Sequence, residues 1–126
     1  MRVVLFIGVL LMASCSESQV KEVVEQGGHQ VVSAEKFKEI LSEEDIQLVD
    51  VRTPEEYQEG TIENAVNIDF LASDFKTKIA ELDTSKKTVI FCRSGGRSGK
   101  AGKMMEEMGF ATIVDLSGGY SGWPYK

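Results

Sequence analysis

Apolar residues arrive along this chain in two alternating kinds of run. Short, nearly continuous runs occur at Val31-Val32, Ile46 to Val51, Ala65 to Ile68, Thr88 to Phe91 and Ala111 to Leu116. Their length and continuity suit strands buried on both faces of a parallel sheet. Between them, apolar residues recur at helical spacing. Phe37, Ile40 and Leu41 follow the N-cap candidate Ser33, and Phe75, Ile79 and Leu82 mark a helix over 72–82. Ala101, Met104, Met105 and Met108 fall at i, i+3, i+4 and i+7, and Gly109 supplies the stop. Thr53 with Glu56 forms a capping box with Pro54 at the first helical position, so a short helix is predicted over 54–59. Ser42 to Asp45 and Asp83 to Ser85 read as turns. This alternation predicts an α/β fold: a five-stranded parallel sheet with helices on both faces.

The first residues do not follow this pattern. Met1-Arg2 leads into the unbroken apolar run Val3 to Ala13, followed by Ser14. Eleven apolar residues are too few to span a bilayer comfortably, and the layout is that of a secretory signal peptide. Residues 16–28 form a polar, acidic linker ending in Gly27-Gly28, and the folded domain is expected from about Gln30. With 126 residues there is room for one domain. The formal charge of −6 argues against nucleic acid as a partner. His29, the single histidine, reads as a surface residue beside the linker, and one histidine with no cysteine pair leaves no zinc site.

The candidate chemistry lies at Cys92. It closes the Thr88–Phe91 strand and is followed by Arg93-Ser94-Gly95-Gly96-Arg97-Ser98 entering a helix. In α/β sheets, ligands bind at this junction, beyond the carboxyl ends of the strands. Successive backbone N–H groups in a glycine-containing loop can curl into an anion nest, and the helix N-terminus adds partial positive charge. Arg93 and Arg97 bring two cations near the sulfur. Such surroundings lower a cysteine pKa from ~8.5 to roughly 3.5–7.5 and would hold an anionic substrate or intermediate. A lone cysteine at a strand end is more often an inert core residue. Two arginines in the following turn favour the reactive reading.

This loop resembles the active-site loop of the rhodanese (sulfurtransferase) family, Cys-x-x-Gly-x-Arg, at Cys92, Gly95 and Arg97. Sulfurtransferases place four residues between cysteine and arginine, as here, where related phosphatases and arsenate reductases place five. Asp50-Val51-Arg52, Glu56-Tyr57, and Gly60, Ile62 and Ala65 match a second family motif, with Thr61 where the family usually has histidine. Asp50 and Arg52 read as a structural pair at a strand end. Gly118-Gly119 followed by Trp123 is similar to the family's C-terminal turn, with Trp123 capping the core beside the loop. The resemblance covers about residues 30–124.

The resemblance implies a single rhodanese-like domain over 30–126 in which thiolate Cys92 attacks the outer sulfur of a donor such as thiosulfate. The resulting persulfide would be held by Arg93, Ser94, Gly95, Gly96, Arg97 and Ser98, then pass its sulfur to a thiol or cyanide. No metal or organic cofactor is implied, and a monomer is expected. Two alternatives stay open: a sulfur-carrier or redox-sensing module, and a phosphatase-like hydrolase, which the four-residue spacing disfavours. Leu11 to Cys15 resembles a bacterial lipoprotein signal. That implies removal of 1–14, lipidation of Cys15, a flexible linker over 15–29, and a membrane-anchored protein facing the periplasm or cell exterior. A lipidated Cys15 has no thiol to share with Cys92, so no disulfide is expected.

Overall fold

The structure, a computed structural model, describes residues 27–126. The expected signal peptide at 1–14, the lipidation site Cys15 and most of the linker lie outside the described residues. The elements are β1 (Gly28–Val32), α1 (Ala34–Leu41), β2 (Gln47–Asp50), α2 (Pro54–Glu59), β3 (Val66–Asn67), α3 (Phe75–Ile79), β4 (Thr88–Phe91), α4 (Gly96–Glu107) and β5 (Thr112–Leu116). A single 3₁₀ turn, Tyr120–Gly122, follows. The strands form one sheet in the order β1-β5-β4-β2-β3, every pairing parallel. β4 is central and all four of its residues are buried. The cysteine that follows it therefore projects from the middle of the sheet's carboxyl edge.

Alternation along the strands divides the core in two. Val49, Ile90, Cys92 and Ile113 face α3 and α4, where Phe75, Ile79, Ala101 and Met105 meet them. Leu48, Val89, Phe91, Val114 and Leu116 face the other way, toward Phe37 and Ile40 of α1 and Trp123. Phe37 packs edge-on against Phe91 and Trp123, with ring centroids 6.4 and 5.5 Å apart. It is fully buried, a contribution of about 1.5–3 kcal/mol for a side chain of this size. The predicted caps form. The Ser33 hydroxyl accepts from the Lys36 N–H at 3.2 Å. Thr53 and Glu56 make the reciprocal capping box, with Pro54 in the first turn.

Two expectations are corrected. α3 runs only over Phe75–Ile79, not 72–82. The chain before it is held in turns: the Asp69 carboxylate takes the Leu71 N–H at 2.9 Å, and Ala72 and Phe75 N–H groups bond back to Asp69 and Ala72. Phe75 and Ile79 are nevertheless buried, with Leu82 packed beside them, so the apolar spacing reported the contact and overstated the helix. His29 is not a surface residue beside a linker. β1 begins at Gly28, His29 pairs with Ile113 of β5, and its imidazole Nε2 lies 3.0 Å from the buried Asp115 carboxyl.

Candidate active site

Cys92 is only 1% exposed, at the head of the loop that follows β4. Gly95 makes that loop possible. It sits at φ 107°, a conformation that side chains resist, and it serves as the N-cap of α4. This bend aims the Gly95 N–H at the cysteine Sγ, 3.0 Å away. Burial alone would push the Cys92 thiol up. Hydrogen bonds from the Ser98 hydroxyl and from the backbone N–H groups of Ser98, Gly95 and Ser94 outweigh it, and the thiol is held below its ordinary value. The Ser98 side chain is buried, and its Oγ also donates to the Gly95 carbonyl at 3.3 Å. The loop is thus a ring of donors around one buried sulfur, able to stabilise a thiolate or an anion attached to it.

The two arginines are not equivalent. Arg97 is forked onto Glu56 of α2, Nη1 to Oε1 at 2.7 Å and Nη2 to Oε2 at 3.0 Å. This bond, with smaller help from Thr53, holds the Glu56 carboxyl down to about 2 despite its desolvation. Arg97 is held correspondingly high, first by the Glu56 hydrogen bond, with weaker attraction from Cys92 and Asp69. Arg93 is exposed and lines a pocket beside the loop. The expectation of two free cations beside the sulfur therefore changes: one is already bound to a carboxylate, and the sulfur's acidity comes chiefly from the loop's hydrogen bonds. Gly96 is exposed in the first turn of α4, with open space where a Cβ would go.

Beside the loop lies an open pocket of about 380 Å³ lined by Arg52, Glu56, Glu59, Arg93 and Tyr120, among others. Arg52 pairs locally with Asp50, as expected. Its guanidinium bonds Asp50 at 2.7 Å and the Gly60 carbonyl at 2.6 Å and lies 4.4 Å from the centre of the Tyr120 ring. Thr61 donates to the same Asp50 carboxylate at 2.9 Å, so the hydroxyl in the place of a histidine joins this buried pair. Among the described residues no cluster of histidine, cysteine and carboxylates is fit to hold a metal ion.

One buttress of the loop escapes sequence reasoning. The Tyr120 and Ser121 N–H groups bond the Cys92 and Arg93 carbonyls at 2.8 and 2.9 Å. Gly119, at φ 61°, passes so close that a Cβ there would lie 2.5 Å from the Arg93 carbonyl carbon and oxygen. The only sequence signal is the Gly118-Gly119 pair, which by itself says turn and not contact.

The profile of the Rhodanese-like domain family matches residues 33–125. The Bacillus subtilis protein YtwF is 41% identical over 93 residues, 73% of this chain and 87% of its own length. A sulfurtransferase of Allochromatium vinosum is 31% identical over 93 residues, 73% of this chain and 85% of its own. Among solved structures, a rhodanese-related protein of Thermoplasma volcanium superposes with a TM-score of 0.66 at 31% identity, covering 75% of this chain and 89% of that one.

Proposed function

The chain belongs to the rhodanese-like domain family, and from that premise we propose that it is a sulfurtransferase that carries sulfane sulfur on Cys92. The thiolate of Cys92 attacks the outer sulfur of thiosulfate. A Cys92–sulfur bond forms as the donor's sulfur–sulfur bond breaks, and sulfite leaves with the electron pair. Cyanide or a thiolate then attacks the outer sulfur of the persulfide, and Cys92 departs as thiolate. The cycle needs no external oxidant or reductant and follows the two-step logic of covalent catalysis.

The observation that carries this reading is the buried sulfur that accepts the Gly95 N–H at 3.0 Å within a ring of loop residues, Ser94, Gly95 and Ser98, that hold its thiol below the ordinary value. Such a ring favours thiolate in the resting protein and would favour a persulfide anion by the same means. Steady-state turnover of thiosulfate with cyanide is the test. Parallel lines in double-reciprocal plots are expected, and absence of thiocyanate with every donor offered would refute the enzyme.

The fork between Glu56 and Arg97 favours a second reading on one point. With its arginine neutralised, the loop suits a donor of low charge, such as a protein persulfide, and the chain would then act as a sulfur carrier. Turnover with a persulfide donor but not with thiosulfate would select it. We further infer that Cys15 is lipidated after removal of 1–14, tethering the domain to a membrane on its periplasmic or exterior side. The signal-like apolar run and the small residues before Cys15 support this.

A further inference from the structure

The open pocket beside the Cys92 loop touches that loop at both ends. Arg93, the residue after the cysteine, lines it, and so does Glu56, which grips Arg97 where the loop enters α4. The backbone around the pocket is fixed. The Ser121 N–H holds the Arg93 carbonyl at 2.9 Å. Glu59 ends α2, and the carbonyl of the next residue, Gly60, takes Arg52 Nη2 at 2.6 Å. Tyr120 joins these two anchors. Its N–H bonds the Cys92 carbonyl at 2.8 Å, and its hydroxyl lies so near Gly60 that a Cβ there would be 3.0 Å away.

Some charges around the pocket are taken and some are not. Arg52 is paired with Asp50, and Glu56 with Arg97. Arg93 and Glu59 are both exposed, and among the described residues neither side chain has an ion pair or a hydrogen bond, with the other or with any neighbour. The Tyr120 hydroxyl likewise has no hydrogen-bond partner among the described residues. Lys126 adds a cation, its ammonium 4.7 Å from the centre of the Tyr120 ring. The volume of about 380 Å³ lies in the range of small-molecule sites.

A guanidinium, a carboxylate and a hydroxyl, each unpaired and carried on fixed backbone, match a small molecule that bears both charges. We propose that this pocket binds the amino-acid part of a small thiol acceptor, a molecule with thiol, carboxylate and ammonium groups of which cysteine is the simplest. Arg93 forks onto the carboxylate, and Glu59 accepts from the ammonium. The inference rests on the reading of Cys92 as the sulfur carrier. The acceptor thiol gives its proton to solvent, and its thiolate attacks the outer sulfur of the Cys92 persulfide. A sulfur–sulfur bond forms on the acceptor as the bond to Cys92 breaks, and Cys92 leaves as thiolate with the electron pair. Arg93 and Glu59 are then the residues that select the acceptor.

The test starts from the full chain with Cys92 already persulfidated, which bypasses the donor step. Loss of the added sulfur is followed by mass spectrometry with cysteine, cysteamine, mercaptoacetate and mercaptoethanol. Each variant is compared with wild type through its preferences among thiols, so differences in thiol acidity cancel. In Arg93→Gln the preference for mercaptoacetate over mercaptoethanol falls roughly fivefold, the scale of losing one charge-assisted contact at an open rim. In Glu59→Gln the preference for cysteamine over mercaptoethanol falls by a similar factor, and both variants lose preference for cysteine. An unchanged preference in either variant, or rates that fall equally for all four thiols, would overturn the proposal. A second measurement needs no reaction and no variant. S-methylcysteine, which keeps both charges and lacks the thiol, shifts the wild-type amide resonances of Gly60, Arg93 and Tyr120; their indifference to it would also overturn the proposal. If wild-type Cys92 takes up no sulfur, the sulfurtransferase reading fails, and the S-methylcysteine shifts alone decide whether the pocket binds an amino acid.

Discussion

Glu56→Gln separates the stability of the loop from its affinity for anions, because it should move the two in opposite directions. Glu56 ends the capping box of α2 and grips Arg97 with both carboxylate oxygens. Its pKa falls from 4.5 to about 2. At about 1.36 kcal/mol per unit this corresponds to about 3 kcal/mol at face value. Both side chains are 23% exposed, and screening at an open rim brings the contribution to about 1–2 kcal/mol. Glutamine keeps the shape and one acceptor but loses the charge, so the melting temperature should fall roughly 5–10 °C for a domain of this size. Arg97 is released by the same change. Removing a unit negative charge from the rim of an anion site relieves about 1 kcal/mol of repulsion after screening, so KM for thiosulfate should fall roughly fivefold. Calorimetry and thiosulfate–cyanide kinetics at low and high salt make the assay, with the KM effect shrinking as salt rises. A lower melting temperature with unchanged or higher KM would refute the view that Glu56 competes with substrate for Arg97.

Arg97→Ala should leave the protein folded and slow persulfide formation by roughly 10²-fold, measured in a stopped single turnover, the scale of losing one aligned anion-stabilising donor. Gly119→Ala puts a methyl group against the Arg93 carbonyl, which must move; sulfur transfer should drop at least as far, with the loss concentrated in kcat. Acid should weaken the fold through Glu56: its pKa is depressed, so its contribution is complete above about pH 4.5 and is lost as pH falls toward about 2. Denaturant midpoints should fall across that window in wild type and fall less in Glu56→Gln. Cys15→Ala should move the expressed full-length protein from the detergent phase to the aqueous phase; identical partitioning would refute lipidation there.

What was readable in the chain was what neighbours in sequence determine. The Thr53–Glu56 box spans three residues, and the strand runs announce themselves by continuity. The Cys92–Ser98 loop reads as a nest because its glycines and the following helix are contiguous with it. The polar contacts that sequence reasoning missed span long stretches of chain. Glu56 and Arg97 are separated by 41 residues, and His29 and Asp115 by 86. Nothing local distinguishes these side chains from ordinary surface charges. Only the strand order, which sets β1 beside β5, brings His29 to Asp115 under α4. The overlong α3 has the reverse cause. Periodicity saw Phe75, Ile79 and Leu82 reaching the core, but the Asp69 carboxylate turns the chain before the helix can begin at 72.

The central claim is that Cys92 is the sulfur that carries sulfur. Intact mass spectrometry of the purified protein after brief thiosulfate treatment tests it most directly, with Cys92→Ser alongside. The wild type should gain the mass of one sulfur atom, lose it on addition of cyanide, and yield the modified peptide at Cys92, while Cys92→Ser gains nothing. A wild-type mass that never changes, or a serine variant that gains the same sulfur, would contradict the account.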